Sequence, residues 1–148
     1  MSEDRSAALL EHVKVLMRVM LVSERTGPEH QHAVRYNALD FHALHVLRVG
    51  QTLRASHLVD DLGVAPTTAS SAIARLVRQG LIERRQNAED RRAYDLSLTK
   101  KGLDLANTIY AQDIANMTTF LSALTEDEQT QLLDAFAKIS ARVAALEG

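Results

Sequence analysis

The segment bounded by Pro66 and Gly80 limits most strongly how this chain can fold. Proline is tolerated in the first turn of a helix, where its missing N–H has no partner to lose, and glycine commonly follows the last turn. Between them, small and branched apolar side chains recur at helical spacing. These side chains are Ala69, Ala72, Ile73, Leu76 and Val77. The pattern predicts a helix with one buried face.

The opposite face of this helix carries hydroxyl and guanidinium groups, at Thr67, Ser71, Arg75 and Arg78. Hydroxyls can bond to phosphates and bases, and arginine can bind guanine through two hydrogen bonds. A helix that buries one face and presents these groups on the other suits the major groove of DNA. The pattern therefore predicts a helix that reads a nucleic acid.

The segments on either side complete a winged helix-turn-helix within Thr52–Leu98. Upstream, three apolar residues indicate a short helix and a glycine permits the sharp turn after it. These are Leu58, Val59, Leu62 and Gly63. Downstream, Leu81–Arg85 and Ala93–Leu98 have the pattern of two strands, and the polar residues 86–92 between them form the hairpin tip. We therefore predict a mainly α fold with a small β-hairpin, whose tip is the wing.

The charge distribution favours a polyanionic partner for the same region. The 148 residues carry a formal net charge of −2. Residues 64–101 carry eight Lys and Arg against four Asp and Glu, whereas residues 102–148 carry two against seven. A basic centre followed by an acidic end directs the protein towards a polyanion and limits non-specific binding elsewhere. The same charge distribution would also be expected of an ordinary solvated surface. The helix-turn-helix pattern therefore decides in favour of a polyanionic partner.

Helices with wide apolar faces are predicted at both ends of the chain. The first covers about residues 4–24, and Thr99 can cap another that continues to about Leu124. Thr125 and Glu128 form a capping box, in which each side chain satisfies a free backbone donor of the other residue. The helix that starts there repeats apolar residues at spacings of four and three, which is typical of a helix packed along another helix. They are Leu132, Phe136, Ile139, Val143 and Leu146.

These faces are more extensive than one small module can cover, so we expect a second subunit to cover them. The sequence predicts a single domain over residues 1–148. Within it, residues 1–35 and 102–148 are the dimerisation helices, and residues 36–101 are the winged DNA-binding module. The alternative is a monomeric helical bundle.

Composition excludes several classes of protein. Hydrophobic residues make up 46% of the chain, which is enough for a core, and no cysteine is present for a disulfide or a thiolate metal site. The apolar runs are too short for a membrane span, so we expect a cytoplasmic protein. Ser70 and Ser71, which follow His57 in the sequence, are the residues that most resemble a catalytic nucleophile with its base. Because they lie on the face that we assign to DNA, we predict no enzyme and no cofactor.

Two motifs make the chain resemble the MarR-type (multiple-antibiotic-resistance-regulator) bacterial transcription factors. Leu76–Arg84 is similar to that family's helix end and first wing strand. Asp90-Arg91-Arg92 followed by Leu96–Gly102 is similar to its D-x-R…L-T-x-x-G signature. The resemblance spans essentially the whole chain. It implies a homodimer that places two winged modules on a pseudo-palindromic double-stranded operator, and usually repression that a small ligand relieves.

The resemblance also assigns DNA contacts by position. Arg92 would enter the minor groove with Asp90 orienting it, and Arg75 and Arg78 would contact phosphates. The complete predicted DNA-binding set is Thr67, Thr68, Ser70, Ser71, Arg75, Arg78, Asp90, Arg91 and Arg92. Two positions depart from the family pattern. Ala65 stands where a capping serine is common, and Ser71 stands where a basic residue is frequent, so the wing and DNA shape would carry more of the specificity.

Histidines suggest a ligand site and a competing metal site. Tyr36 and His42 are the candidate residues for a small aromatic or phenolic effector. His42 and His45 share a helix face at a spacing that could bind zinc, with Glu29, Asp40 or a second subunit supplying further ligands. We predict no metal site, with zinc sensing as the alternative. A winged module that contacts only other proteins is a further alternative, but it would not need two adjacent arginines at the wing tip.

Overall fold

A computed structural model describes residues 2–22 and 38–148 of the chain. Within these residues, a π-helical turn, Arg18–Val22, follows the first of six α-helices. The helices are α1 (Ser2–Met17), α2 (Ala38–Gly50), α3 (Ala55–Leu62), α4 (Pro66–Arg78), α5 (Lys100–Leu121) and α6 (Glu126–Glu147). The strands are β1 (Thr52–Arg54), β2 (Ile82–Gln86) and β3 (Tyr94–Leu98). The fold is mainly helical with a small antiparallel sheet, as the sequence predicts.

The sheet has three strands where the sequence analysis predicts two. The order is β1-β3-β2, and both pairings are antiparallel. In β1, Leu53 lies opposite Leu96 of β3, while Arg84 of β2 lies opposite the same Leu96 from the other side. A strand of three residues is too short to show an alternating pattern, and β1 is defined by its pairing with β3. The central strand of the sheet is therefore β3.

The chain divides into two compact units, Met1–Gln112 and Asp113–Gly148, and the division falls within α5. The first unit contains the core of the winged module. Its largest buried side chains come from α2, α3, α4 and the segments around the sheet, and each buried leucine or isoleucine contributes about 1.5–3 kcal/mol. They are Leu44, Leu47, Leu58, Leu76, Leu81, Ile82 and Leu96.

Local signals set both ends of α4. Pro66 occupies the first turn. Ala65 stands at the N-cap without a side-chain hydrogen bond, because a methyl group cannot accept one. At the other end the Leu81 N–H donates to the Leu76 carbonyl (3.0 Å) and the Gly80 N–H to the Val77 carbonyl (3.0 Å). These two bonds form a Schellman motif, which needs the left-handed φ of +75° that Gly80 adopts. The predicted buried stripe is confirmed, with Val77 only half-buried.

The wing connects directly to the start of α5 through Thr99. The Thr99 hydroxyl donates to the Gly80 carbonyl (2.6 Å) and accepts from the Gly102 N–H (3.0 Å), while the Thr99 N–H donates to the Leu81 carbonyl (3.1 Å). Thr99 therefore caps α5 as predicted and also attaches it to the turn between α4 and β2. The L-T-x-x-G signature has a structural role, because it joins three elements at one point.

In the second unit the predicted capping box at the start of α6 is confirmed. The Glu128 N–H donates to the Thr125 hydroxyl (3.2 Å), and the Thr125 N–H donates to the Glu128 carboxylate (3.0 Å). Helix α6 contains no buried residue within this chain. Its exposed apolar side chains include Phe136, Ile139 and Val143, each about half exposed.

Candidate nucleic-acid interface

The polar face of α4 is open to solvent. Thr67, Thr68, Ser70 and Ser71 in its first two turns are all exposed, and Arg78 at its C-terminal end is exposed too. The buried stripe of the same helix packs into the core, which fixes the direction in which the hydroxyl groups face. The structure therefore places these five predicted contact residues on accessible surface, where a groove of DNA could meet them.

Arg75 differs from the other residues of this face because it forms an ion pair with Asp40 of α2. The Asp40 side chain is 1% exposed, whereas that of Arg75 is 37% exposed. Burying a carboxylate is costly unless a charged partner compensates it. Arg75 therefore has a structural role, which adds to the predicted contact with a phosphate. From the sequence alone Asp40 is only a possible metal ligand, because its partner lies 35 positions away and leaves no local pattern.

The wing carries several arginines, and the strand arginines are held by neighbours. The Arg84 guanidinium lies 4.0 Å from the centre of the Tyr94 ring, and Arg85 forms an ion pair with Glu83 at 2.9 Å. Arg91 and Arg92 at the tip are exposed. A cation–π contact attracts the guanidinium to the face of the ring, so the wing presents positive charges that neighbours hold on the strands and exposed positive charges at the tip.

Asp90 makes a different contact from the one that the sequence analysis predicts. Its carboxylate accepts a hydrogen bond from the backbone N–H of Arg92 (3.0 Å), not from the guanidinium. An aspartate side chain two residues before an N–H forms an Asx turn, and this local bond competes with the longer reach to the side chain. Asp90 therefore orders the main chain of the tip, and its orientation of the Arg92 guanidinium stays a prediction.

Two cavities adjoin α4. One, of about 340 Å³, is lined by Leu39 of α2 together with Thr67, Thr68, Ser71 and Arg75. The other, of about 330 Å³, brings Arg78 of α4 and Arg84 of β2 to the same space as Ser70, with mainly apolar walls. Helix α4 and the wing therefore present positive charge side by side.

The two predicted histidines that the structure describes, His42 and His45, make different contacts. Tyr36 lies outside the described residues. His42 is exposed, with its Nε2 atom 3.4 Å from the Asp61 carbonyl oxygen of α3. The His45 ring stacks on Tyr110 of α5, with centroids 6.5 Å apart, and thus belongs to a different contact. Within residues 2–22 and 38–148, no three His, Asp or Glu side chains are grouped so that they could hold a metal ion.

Comparison with known proteins agrees with this geometry. Residues 37–94 match the sequence model of the MarR family. The HTH-type transcriptional repressor MdtR of Bacillus subtilis is 35% identical over 89 residues, which cover 60% of this chain and 57% of MdtR. Over residues 37–94 the chain is therefore similar to proteins of the MarR family. MdtR is named as a transcriptional repressor, and PecS of Dickeya dadantii, 28% identical over 123 residues, as a transcriptional regulator. The matched stretch nevertheless spans less than two thirds of MdtR.

Solved structures of MarR proteins share the fold over almost the whole chain. The YusO protein of Bacillus subtilis is 27% identical, with a TM-score of 0.71 and coverage of 95% of this chain and 94% of YusO. FabT of Streptococcus pneumoniae, solved in complex with DNA, has a TM-score of 0.86 and covers 99% of each chain at 19% identity. At that identity, FabT supports the fold alone.

In the part of the chain that the structure describes, no helix is both long and apolar enough to cross a membrane.

Proposed function

We propose that this chain is a DNA-binding transcriptional regulator of the MarR family, acting in the cytoplasm as a homodimeric repressor of a pseudo-palindromic operator. One observation carries the proposal. The exposed hydroxyl face of α4 lies beside an arginine-bearing wing, and Ser70, Arg78 and Arg84 line one cavity. This arrangement suits double-stranded DNA, because the helix can enter the major groove while the basic hairpin contacts the phosphates and the minor groove.

The proposed contacts divide by type. Thr67, Thr68 and Ser71 face the bases and nearby phosphates of the major groove, whereas Arg78 contacts the phosphate backbone. At the wing tip, Arg92 enters the minor groove, where a narrow A·T-rich segment concentrates negative potential. Arg91 remains a candidate for the flanking phosphates. Sequence specificity would then come from α4 and from DNA shape, while affinity would come mainly from the arginines.

Selection of bound sequences from random double-stranded DNA tests this function directly. We expect enrichment of a motif with two related half-sites about one helical turn apart, because a two-fold dimer presents two copies of α4. Recovery of unrelated sequences with no shared motif would contradict a sequence-specific regulator. It would favour the alternative of a winged module that serves protein contacts.

Replacing Arg92 by alanine should weaken operator binding by about 1–3 kcal/mol, the scale of one good specific contact. The melting temperature should hardly change, because the side chain is exposed. As a matched control, Arg78→Ala should weaken all DNA sequences alike and lower the slope of log affinity against log salt by about 1. Fluorescence anisotropy over a salt titration measures both effects. Wild-type operator affinity for Arg92→Ala at every salt concentration would remove the wing from the proposed interface.

The dimer proposal rests on exposed apolar surface in both terminal regions. Every described side chain of α1 is exposed, including Leu9, which is 58% exposed, and α6 exposes Phe136 and Ile139. Apolar surface exposed to this extent on a helix is unusual on a monomer and typically marks an interface. We infer that a second copy of the chain covers these surfaces, with the terminal helices of both copies forming the interface.

Replacement of Phe136 and Ile139 by aspartate should therefore dissociate the dimer or unfold the protein. Aspartate in an apolar interface leaves a charge without a partner, at a cost of several kcal/mol. Sedimentation velocity at micromolar concentration measures the oligomeric state, and circular dichroism measures folding. Ser140→Asp, at an exposed polar position of the same helix, is the control for the added charge. A wild-type protein that sediments as a monomer would end the dimer proposal.

The proposed effector is a small anionic aromatic or phenolic compound that lowers operator affinity. It would bind beside Tyr36 and His42, and it must bind the free conformation more tightly than the DNA-bound one to have that effect. A thermal-shift screen of phenolic and benzoic acids, followed by operator titration with each compound that binds, tests the proposal. If zinc is the only additive that shifts both melting and DNA affinity, the effector is a metal ion instead.

A further inference from the structure

The tip of the wing, residues 87–93, is organised by the side chain of Asn87. The Asn87 amide nitrogen Nδ2 donates to the Asp95 carboxylate of β3, at 3.0 Å to Oδ2 and 3.3 Å to Oδ1. The amide oxygen Oδ1 accepts from the backbone N–H groups of Glu89 and Asp90, both at 2.9 Å. Asn87 is half-buried although it belongs to an exposed tip. One side chain thus links the turn to the central strand of the sheet.

Only one orientation of the Asn87 amide satisfies these partners. An ionised carboxylate can only accept hydrogen bonds, and a backbone N–H can only donate one. The nitrogen must therefore face Asp95, and the oxygen must face Glu89 and Asp90. A reversed amide would place an oxygen against a carboxylate and an NH₂ group against two N–H donors. The network consequently permits a single arrangement of the tip.

Two further hydrogen bonds hold the main chain of the tip arginines, and one of them is linked to Asn87 through Asp90. The Gln86 side chain donates to the Arg91 carbonyl (2.6 Å), and Asp90 accepts from the Arg92 N–H (3.0 Å). Asp90 is itself placed by its own N–H, which donates to Asn87. The backbone of Arg92 is therefore two hydrogen bonds away from the Asn87 amide. The guanidinium groups of Arg91 and Arg92 remain exposed, so the tip is ordered while its positive ends are accessible.

We propose that Asn87 is a positioning residue for DNA binding, which orders the wing before DNA arrives and so presents Arg92 to the minor groove. This inference rests on the proposed function. Asn87 does not touch DNA in it; the residue acts through Asp90 and the main chain of the tip. Without this network the tip would sample many conformations, and binding would have to order it again at the expense of affinity. Neither composition nor periodicity points to Asn87, because its role depends on Asp95, eight positions further along.

An exchange of the two side chains provides the sharpest test. In Asn87→Asp, the oxygen still accepts from Glu89 and Asp90, but a second carboxylate faces Asp95 at about hydrogen-bond distance. Repulsion should then open the tip. In the double variant Asn87→Asp with Asp95→Asn, the amide and the carboxylate change places, so every donor again meets an acceptor. The net charge also returns to the wild-type value. Asn87→Ala removes the network without adding a negative charge, and Asp95→Asn alone is the control for the second site.

Two measurements on the full-length protein separate wing order from DNA binding. Amide hydrogen exchange of Glu89 and Asp90, followed by NMR without DNA, reports whether the tip is ordered. Fluorescence anisotropy with the selected operator reports affinity. We expect faster exchange in Asn87→Ala and Asn87→Asp, and operator affinity lower by about five- to thirty-fold, the effect of losing one or two hydrogen bonds. The double variant should restore both slow exchange and operator affinity.

The outcomes distinguish this inference from the proposed function. If exchange accelerates in Asn87→Asp while operator affinity stays at the wild-type value, tip order does not position the arginines and the inference is overturned. Unchanged exchange in Asn87→Ala also overturns it, since Asn87 then does not order the tip. Failure of the double variant to recover affinity after it recovers slow exchange is a third contradiction. If the wild type itself binds no selected DNA, the proposed function fails together with the DNA role of Asn87, whatever the exchange rates show.

Discussion

Substitution of Gly102 by alanine should destabilise the protein by about 3 kcal/mol or more, which is at the upper end of overpacking effects. A Cβ atom at this position would lie 2.9 Å from the Leu81 carbonyl carbon and still closer to its oxygen. The obstacle is main chain, which cannot rotate away. The Leu81 carbonyl also accepts the Thr99 N–H at 3.1 Å. Relief of the clash would therefore separate α5 from the turn that ends α4.

Urea denaturation followed by circular dichroism measures this loss, and a thermal scan should show a melting temperature lower by about 6–12 °C. Gly50→Ala is the matched control, because it also adds a methyl group near a helix end. There the new Cβ would meet the side chain of Leu53 at 3.0–3.1 Å, and a flexible leucine can move aside. Alanine is also the better helix former by about 1 kcal/mol at either site. A Gly102→Ala protein as stable as Gly50→Ala would show that the contact with Leu81 is not tight in solution.

The difference between these two glycines shows which parts of the fold the sequence can predict. Helix ends follow from neighbouring residues, so the bounds of α4 and the capping box at Thr125 and Glu128 were accessible without a structure. The structural role of Gly102 could not be predicted in this way. The resemblance identifies the signature to which Gly102 belongs, but only the fold brings Leu81 into contact with it. Strand β1 was missed for a similar reason. Its three residues become a strand through pairing with β3.

The candidate site shows the same division between local and long-range information. Periodicity along α4 predicts which hydroxyl groups are exposed, since the buried stripe determines the opposite face. Contacts that depend on a competing partner were not predictable. A carboxylate at Asp90 could reach either the guanidinium or the N–H of Arg92, and the ion pair between Arg75 and Asp40 joins residues from two helices. Which of the exposed groups contact DNA remains a prediction that the binding experiments test.

Removal of the Arg75 side chain should cost about 2–4 kcal/mol of unfolding free energy, because it leaves the buried Asp40 carboxylate without its guanidinium. The range is below that for a fully buried pair because the Arg75 side chain is 37% exposed. Asp40→Asn should cost less, about 1 kcal/mol, since it removes the buried charge and leaves an arginine that water can reach. Urea denaturation of Arg75→Ala and Asp40→Asn measures the two effects, and equal losses would contradict this asymmetry.

The double variant with Arg75→Ala and Asp40→Asn decides what Arg75 does besides stabilising the fold. With no charge left to bury, it should be more stable than Arg75→Ala alone, a non-additivity expected of residues in direct contact. If Arg75 acts only through Asp40, the double variant should also recover most of the operator affinity. If Arg75 contacts a phosphate as well, the double variant regains stability but binds every DNA sequence weakly. The slope of log affinity against log salt then stays about one unit shallower than in the wild type. A double variant less stable than Arg75→Ala would mean that the Asp40 carboxylate is stabilised by something other than this guanidinium, and the structural role assigned to Arg75 would have to be withdrawn.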